Sequence, residues 1–193
     1  MARGLLQPAV MTKRILLVHY SRSGTTSRVA AHIAKELGAD LERIEESAQR
    51  SGVGGYMRSA VEALAKGLPA IRTQKDPREY DLVVIGTPVW VGTMSSPVRS
   101  YLFSHQRRLR NTAFFAVMGG RGADDTLREM ALACGATDAP MYALTQAEVE
   151  QNRYQKGCAA FIRQVKAALG NTEHTTARWR ESHGARAPLE EGS

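Results

Sequence analysis

Apolar runs of strand length at 14–19, 81–86 and 113–118 alternate with segments whose apolar residues recur at helical spacing. Strands without polar interruption need cover on both faces, which a parallel sheet flanked by helices provides. The segment after the first run carries Val29, Ile33 and Leu37 on one helical face and stops at Gly38. Further helices are expected over 55–66, through Met57, Ala60, Val61 and Leu64, and over 95–105, where Pro97 falls in the first turn and its missing N–H costs least. Two more are expected over 124–134, with Leu127, Met130, Ala131 and Cys134 aligned, and over 154–169, with Cys158, Phe161, Ile162, Val165 and Leu169 aligned. Strands of more mixed composition are expected at 40–45 and 141–145, and 69–79, with Pro69 and Pro77, reads as a connector. Placing the mixed strands at the edges gives a three-layer, doubly wound α/β fold with a five-stranded parallel sheet of order 2-1-3-4-5.

The chain has 193 residues, 43% of them apolar, which suits one domain with a full core. That domain is expected over 13–170, between a flexible extension (1–12) and a mobile tail (171–193) that shows no usable period. No stretch approaches the roughly 20 apolar residues of a membrane span, and the first ten residues lack an apolar segment of signal-peptide length. A cytoplasmic protein without membrane association is the expectation. Cys134 and Cys158 supply neither a disulfide framework nor a metal cluster, and both lie on helix stripes where cysteine is ordinarily buried, so no metal is expected. The net charge is +7, and 171–193, with three arginines and four glutamates, is nearly neutral. The excess therefore lies in the domain, most densely at Arg107, Arg108 and Arg110 near His105. No nucleic-acid motif accompanies these arginines, so a solvated face is expected and nucleic acid is not.

In open sheets of this order, ligands bind at the carboxyl ends of the strands where the order reverses, here between the first and third strands. Three loops converge there: Ser21–Thr26, Thr87–Ser95 and Gly119–Asp124. In the first, an apolar strand ends in hydroxyls around one glycine just where a helix begins, a setting that holds phosphate with backbone N–H groups and the helix dipole. Ser21, Ser23, Thr25 and Thr26 exceed the single hydroxyl that helix capping requires, and Gly24 lets the backbone approach an anion closely. Arg22 either adds charge or points to solvent. The second loop offers Thr87, Pro88, Val89, Trp90, Val91 and Gly92. Pro88 stiffens it, and Trp90 suits either stacking on a planar ligand or plugging the sheet end. The third, Gly119, Gly120, Arg121, Gly122 and Asp124, exposes backbone donors against which a flat ring could lie, or is a plain strand-to-helix turn. No catalytic side chain is nominated. Ser21 and Ser23 have no visible triad partners, and His19, inside the first strand, reads as packed or hydrogen-bonded.

A phosphate, a linker and a flat ring together describe FMN. On these residues the chain resembles the flavodoxin family over roughly 13–169. The Ser-Arg-Ser-Gly-Thr-Thr loop is similar to the family's phosphate loop of form hydroxyl-x-hydroxyl-Gly-x-Thr. Trp90 matches the aromatic placed against the isoalloxazine, and 119–124 match the loop along the ring's polar edge. The resemblance implies FMN as cofactor and either electron transfer with a redox partner protein or flavin-dependent reduction with NAD(P)H or a quinone. Two departures favour the broad flavodoxin-like group over the small acidic carriers: the domain is basic, and 119–126 hold no second stacking aromatic. Carrier and reductase both stay open, as do the redox partner and the oligomeric state. Donors at 119–122 and Arg121 favour reduced flavin while Asp124 and Asp125 oppose it, so a less reducing flavin than in acidic relatives is expected. Two rivals remain: a phosphosugar-binding isomerase-type domain, whose loop resembles Ser-Arg-Ser-Gly-Thr-Thr even more literally, and a flavin-free interaction module using the arginine patch.

Overall fold

The computed structural model describes residues 13–46, 68–109 and 111–183, with 171–183 as helical backbone alone. β1 (Ile15–His19) leads into α1 (Thr25–Leu37) and β2 (Asp40–Arg43), followed by β3 (Glu45–Glu46) and β4 (Ile71–Arg72). A 3-10 turn at Pro77–Glu79 precedes β5 (Leu82–Trp90), β6 (Thr93–Met94) and α2 (Ser96–His105). A second 3-10 turn, Gln106–Arg108, leads to β7 (Thr112–Met118), α3 (Ala123–Cys134), β8 (Met141–Thr145), α4 (Gln146–Glu150) and α5 (Gln155–His183).

The main sheet has the order β2-β1-β5-β7-β8 with parallel pairings throughout, which is the expected 2-1-3-4-5. Alternation along the three central strands separates two cores. Ile15, Leu17, Leu82, Val84, Ala113, Phe115 and Val117 pack with Val29 and Ile33 of α1 and Phe161 and Val165 of α5. Leu16, Val18, Val83, Ile85, Phe114 and Ala116 pack with Val98 and Tyr101 of α2 and Leu127 and Met130 of α3. Each strand thus buries both faces, which is why its sequence is continuously apolar. The close fit is felt at Gly86, where an added Cβ would lie 2.1 Å from the Phe115 ring.

Four elements depart from the sequence-based expectation. The strand expected over 40–45 breaks at Ile44, which is buried and whose N–H donates to the His19 carbonyl at 2.8 Å. Beyond it, β3 pairs antiparallel with β4, so the supposed connector at 69–79 contains a strand and a 3-10 turn. The loop expected at Thr87–Ser95 is a hairpin: β5 runs on through Trp90, and β6 returns with Val89 opposite Met94 and Trp90 opposite Thr93. Its two-residue tip, Val91 and Gly92, has φ 51° and 79°, the paired positive values of a turn that matches strand twist. Finally, α5 runs to His183, past the end expected at 169 and into the stretch read as a tail. The helix expected at 55–66, the extension 1–12, Arg110 and residues 184–193 lie outside the described residues.

Candidate functional site

The chain leaves β1 at His19 and enters α1 through Ser21–Gly24. Gly24 has φ 90° and occupies the cap position, and no side chain caps the helix among the described residues. The four hydroxyls are engaged elsewhere or exposed. Ser21 is buried, and its Oγ accepts the Gly24 N–H at 3.1 Å, which closes the loop on itself. Ser23 Oγ and Thr25 Oγ1 lie 3.2 Å apart at the surface, and Thr26 is buried in the first turn. Arg22 is exposed. Ordinary capping therefore does not account for this hydroxyl cluster. Beneath it, buried His19 ties β1 to β2 and α1: Nδ1 lies 3.1 Å from the Glu42 carbonyl and Nε2 3.0 Å from Ser27 Oγ. Burial pulls its pKa down to about 4, so the ring is neutral and structural at pH 7.

β5 extends past its last pairing with β1, His19 opposite Gly86, and projects the hairpin beyond the sheet end. The hairpin tip meets the loop after β7 backbone to backbone: an added Cβ on Gly122 would lie 2.9 Å from Gly92 Cα. Gly122, at φ 96°, starts α3 as Gly24 starts α1, again without a side-chain cap. Thr126 Oγ1 donates to the Gly122 carbonyl at 2.8 Å and lies 3.4 Å from that of Gly92. From α2, Arg99 donates to Thr93 Oγ1 on the return strand at 2.6 Å and pairs with Glu129 at 2.6 Å, while Thr93 Oγ1 donates to Glu129. Between hairpin and loop lies a cleft of about 740 Å³, within the roughly 300–1,000 Å³ range of small-ligand sites. Its walls are Val89, Val91 and Gly92 on one side and Gly119–Gly122 with Asp125 on the other.

A family model described as Flavodoxin matches residues 14–152, well over half of the chain. The chain belongs to the flavodoxin family. No functionally curated protein matches it in sequence. Among solved structures, it is similar to a flavoprotein from Lactobacillus acidophilus in complex with FMN, at 24% identity over 72% of this chain and 97% of that one, TM-score 0.54. It is also similar to a WrbA-like flavodoxin protein from Agrobacterium tumefaciens, at 17% identity over 81% and 98%, TM-score 0.57. A flavodoxin from the domain Archaea matches at 12% identity over 80% and 98%, TM-score 0.51. At these identities the likeness establishes a shared fold.

Within this flavodoxin-family fold, the nominated residues divide into groups. Val89, Val91, Gly92, Gly119, Gly120, Arg121 and Gly122 share the cleft. Ser21, Arg22, Ser23, Gly24, Thr25 and Thr26 form a separate patch at the end of the neighbouring strand. Thr87 is fully buried, and its Oγ1 accepts the Ser95 N–H at 3.0 Å, so its side chain closes the hairpin base. Pro88 stands within β5 opposite Val117. Trp90 lies outside the cleft lining; half-buried, it meets the Tyr20 ring edge-on at a centroid distance of 5.5 Å. Asp124 is exposed, and its neighbour Asp125 lines the cleft instead, 3.2 Å from Arg128. Burial raises the thiol pKa of both Cys134 and Cys158 to about 11, which keeps them protonated and unreactive.

Sequence reasoning passed over two neighbours of the first loop. Tyr20, whose hydroxyl donates to Glu46, braces Trp90 from the β1 side. Arg43, at the end of β2, donates to the Ser21 carbonyl at 2.8 Å. Both contacts join residues more than twenty positions apart, and no local pattern announces them. Arg107 and Arg108 lie on the turn beyond α2, a helix that begins beside the hairpin and runs away from the cleft end, so that patch is remote from the site.

Proposed function

We propose that this protein binds FMN at the carboxyl edge of its sheet and works as a flavin-dependent redox protein. The observation that carries the proposal is the start of α1: a left-handed Gly24 opens a 13-residue helix whose first turn no side chain caps, amid surface hydroxyls. Such a start offers unpaired N–H donors and the positive end of the dipole to a phosphate. The neighbouring cleft, of about 740 Å³ and with glycine at four of its eight lining positions, has the size and small side chains that a flat ring needs. Family membership and the FMN-bound Lactobacillus neighbour support the same cofactor.

In this reading Ser21–Thr26 would hold the phosphate. Trp90, braced by Tyr20, would flank the ring, and Gly119–Gly122 would offer backbone N–H groups to its polar edge. Bound FMN would supply reversible one- or two-electron chemistry; the protein supplies grip, orientation and field. Arg121 at the rim would stabilise negative charge on a reduced ring, and Asp125, partly neutralised by Arg128, would oppose it. The side-chain-poor cleft leaves room for a second small substrate, which favours a reductase of NAD(P)H or quinone type over a carrier docked by a protein partner. Nothing in the comparisons favours a phosphosugar isomerase.

The test has two stages. Protein mixed with FMN and desalted should stay yellow and bleach reversibly with dithionite. A colourless protein contradicts FMN binding. The holoprotein should then oxidise NADH or NADPH with a quinone faster than free FMN does. Turnover equal to free FMN contradicts the reductase reading and leaves a carrier.

A further inference from the structure

We propose that Arg43 sets the preference of this site for a phosphorylated flavin over the unphosphorylated one. The inference rests on the FMN reading above and adds a residue to it. Arg43 sits at the carboxyl end of β2, in register with His19 at the end of β1. From there its guanidinium crosses to the anion loop and donates to the Ser21 carbonyl at 2.8 Å. Ser21 in turn accepts the Gly24 N–H on its hydroxyl at 3.1 Å. The loop is therefore closed through Ser21 at one end and Gly24 at the other, with Arg22 and Ser23 exposed between them.

What distinguishes Arg43 is that it joins a hydrogen bond into the anion loop to a charge with no carboxylate partner among the described residues; Arg28, equally without one, bonds Asn152 instead. Arg14, Arg78, Arg99 and Arg128 each lie within 3.7 Å of a carboxylate. Arg43 pairs with no carboxylate among the described residues, and its one hydrogen bond goes to a neutral carbonyl. Its positive charge thus has no ion-pair partner among the described residues, at the rim of a loop already made positive by a helix start. Bonding a carbonyl uses one of five guanidinium N–H donors and leaves the others for a second acceptor. A phosphate dianion gains from both the fixed loop and the unpaired charge, whereas riboflavin, which has no phosphate, gains from neither.

The test compares FMN with riboflavin on the full chain, by fluorescence titration, in wild type, Arg43→Met and Arg43→Lys. Arg43→Met should weaken FMN binding about tenfold, the scale of one charge-assisted hydrogen bond, and change riboflavin binding less than about twofold. Arg43→Lys, which keeps charge but loses the planar fork, should fall between wild type and Arg43→Met for FMN. In wild type, raising salt should weaken FMN binding and leave riboflavin binding nearly constant, a readout that needs no variant to fold. Equal loss of both flavins in Arg43→Met would reduce Arg43 to a structural brace and overturn the proposal, as would no loss of either. A wild type that binds riboflavin and FMN equally overturns it while leaving flavin binding intact. A wild type that binds neither overturns the functional reading and this inference with it.

Discussion

The starts of α1 and α4 are built in opposite ways. α4, at the sheet edge after β8, opens with a complete capping box. Thr145 Oγ1 accepts the Glu148 N–H at 3.2 Å, and Glu148 Oε2 accepts the Thr145 N–H at 2.7 Å and hydroxyl at 2.8 Å. α1, more than twice as long and surrounded by four hydroxyls, opens at a left-handed glycine with no side-chain cap. α3 repeats the open arrangement at Gly122. The two starts that open at a left-handed glycine follow β1 and β7, the strands on either side of β5, where the cleft lies; α2, also without a side-chain cap, opens instead at an extended Ser95. A cap contributes about 1 kcal/mol to a helix, so leaving one out beside available hydroxyls sacrifices local stability. Conflicts of this kind concentrate where a fold serves a ligand. The edge helix is finished by its own side chains, and the central ones are left for something else to finish.

The largest expected effect concerns what steadies α1 in place of a cap. His19 reaches Ser27 in the first turn, and burial lowers its pKa from 6.5 to about 4. The unfolded chain therefore binds the proton more readily. Stability from the neutral ring is fully present above pH 6.5 and drains away as pH falls toward 4, by up to an amount on the order of 3 kcal/mol. Denaturant melts across that window should show the slope in wild type and a flatter one in His19→Gln. A flat wild-type profile would mean that His19 does not hold the open helix.

Next comes Gly24→Asp, which places a carboxylate at the open start of α1 and costs stability, because Gly24 holds the left-handed φ of 90° that disfavours a side chain. FMN affinity should fall about a hundredfold, since the added charge repels phosphate. Titration with FMN alongside a thermal melt would check this, and affinity within threefold of wild type would disconnect the helix start from the ligand. Gly122→Ala tests the second open start. Its Cβ would collide with Gly92 Cα in a backbone conformation that favours glycine, at a cost of about 2 kcal/mol. A lower Tm with an altered FMN affinity is expected; an unchanged Tm would show that the hairpin and loop do not bear on one another. The smallest effect belongs to the closed start. Thr145→Ala should cost about 1 kcal/mol and leave FMN affinity untouched. Hydrogen bonds from Thr145 hold the Glu148 carboxyl below its usual 4.5, so this stabilisation is present above that pH and fades in stronger acid.

Much of this arrangement was legible in the chain. β1, β5 and β7 announce themselves because both their faces are buried, and the mixed composition at 40–45 and 141–145 marks the sheet edges. The Ser21–Thr26 loop was legible because its hydroxyls outnumber what a cap needs. The hairpin was hidden by Pro88 and Gly92, both strand breakers in local terms. Pro88 is tolerated there because β5 has already passed its last rung with β1, and Gly92 because it forms the turn. The helical backbone at 171–183 was hidden because that stretch has no apolar period to read. The Thr145-x-x-Glu148 signature could have revealed α4. Arg43 could not have been found locally, since its contact with Ser21 exists only once β2 lies beside β1.

The central claim is that the open start of α1 and the adjoining cleft together form an FMN site. Titrating the purified protein with FMN while following tryptophan fluorescence tests it most directly. Saturable quenching at one FMN per chain, greatly reduced in Trp90→Phe, is the predicted result. Fluorescence that declines only as the absorbance of added FMN requires, with no saturation and no retained colour, would contradict it.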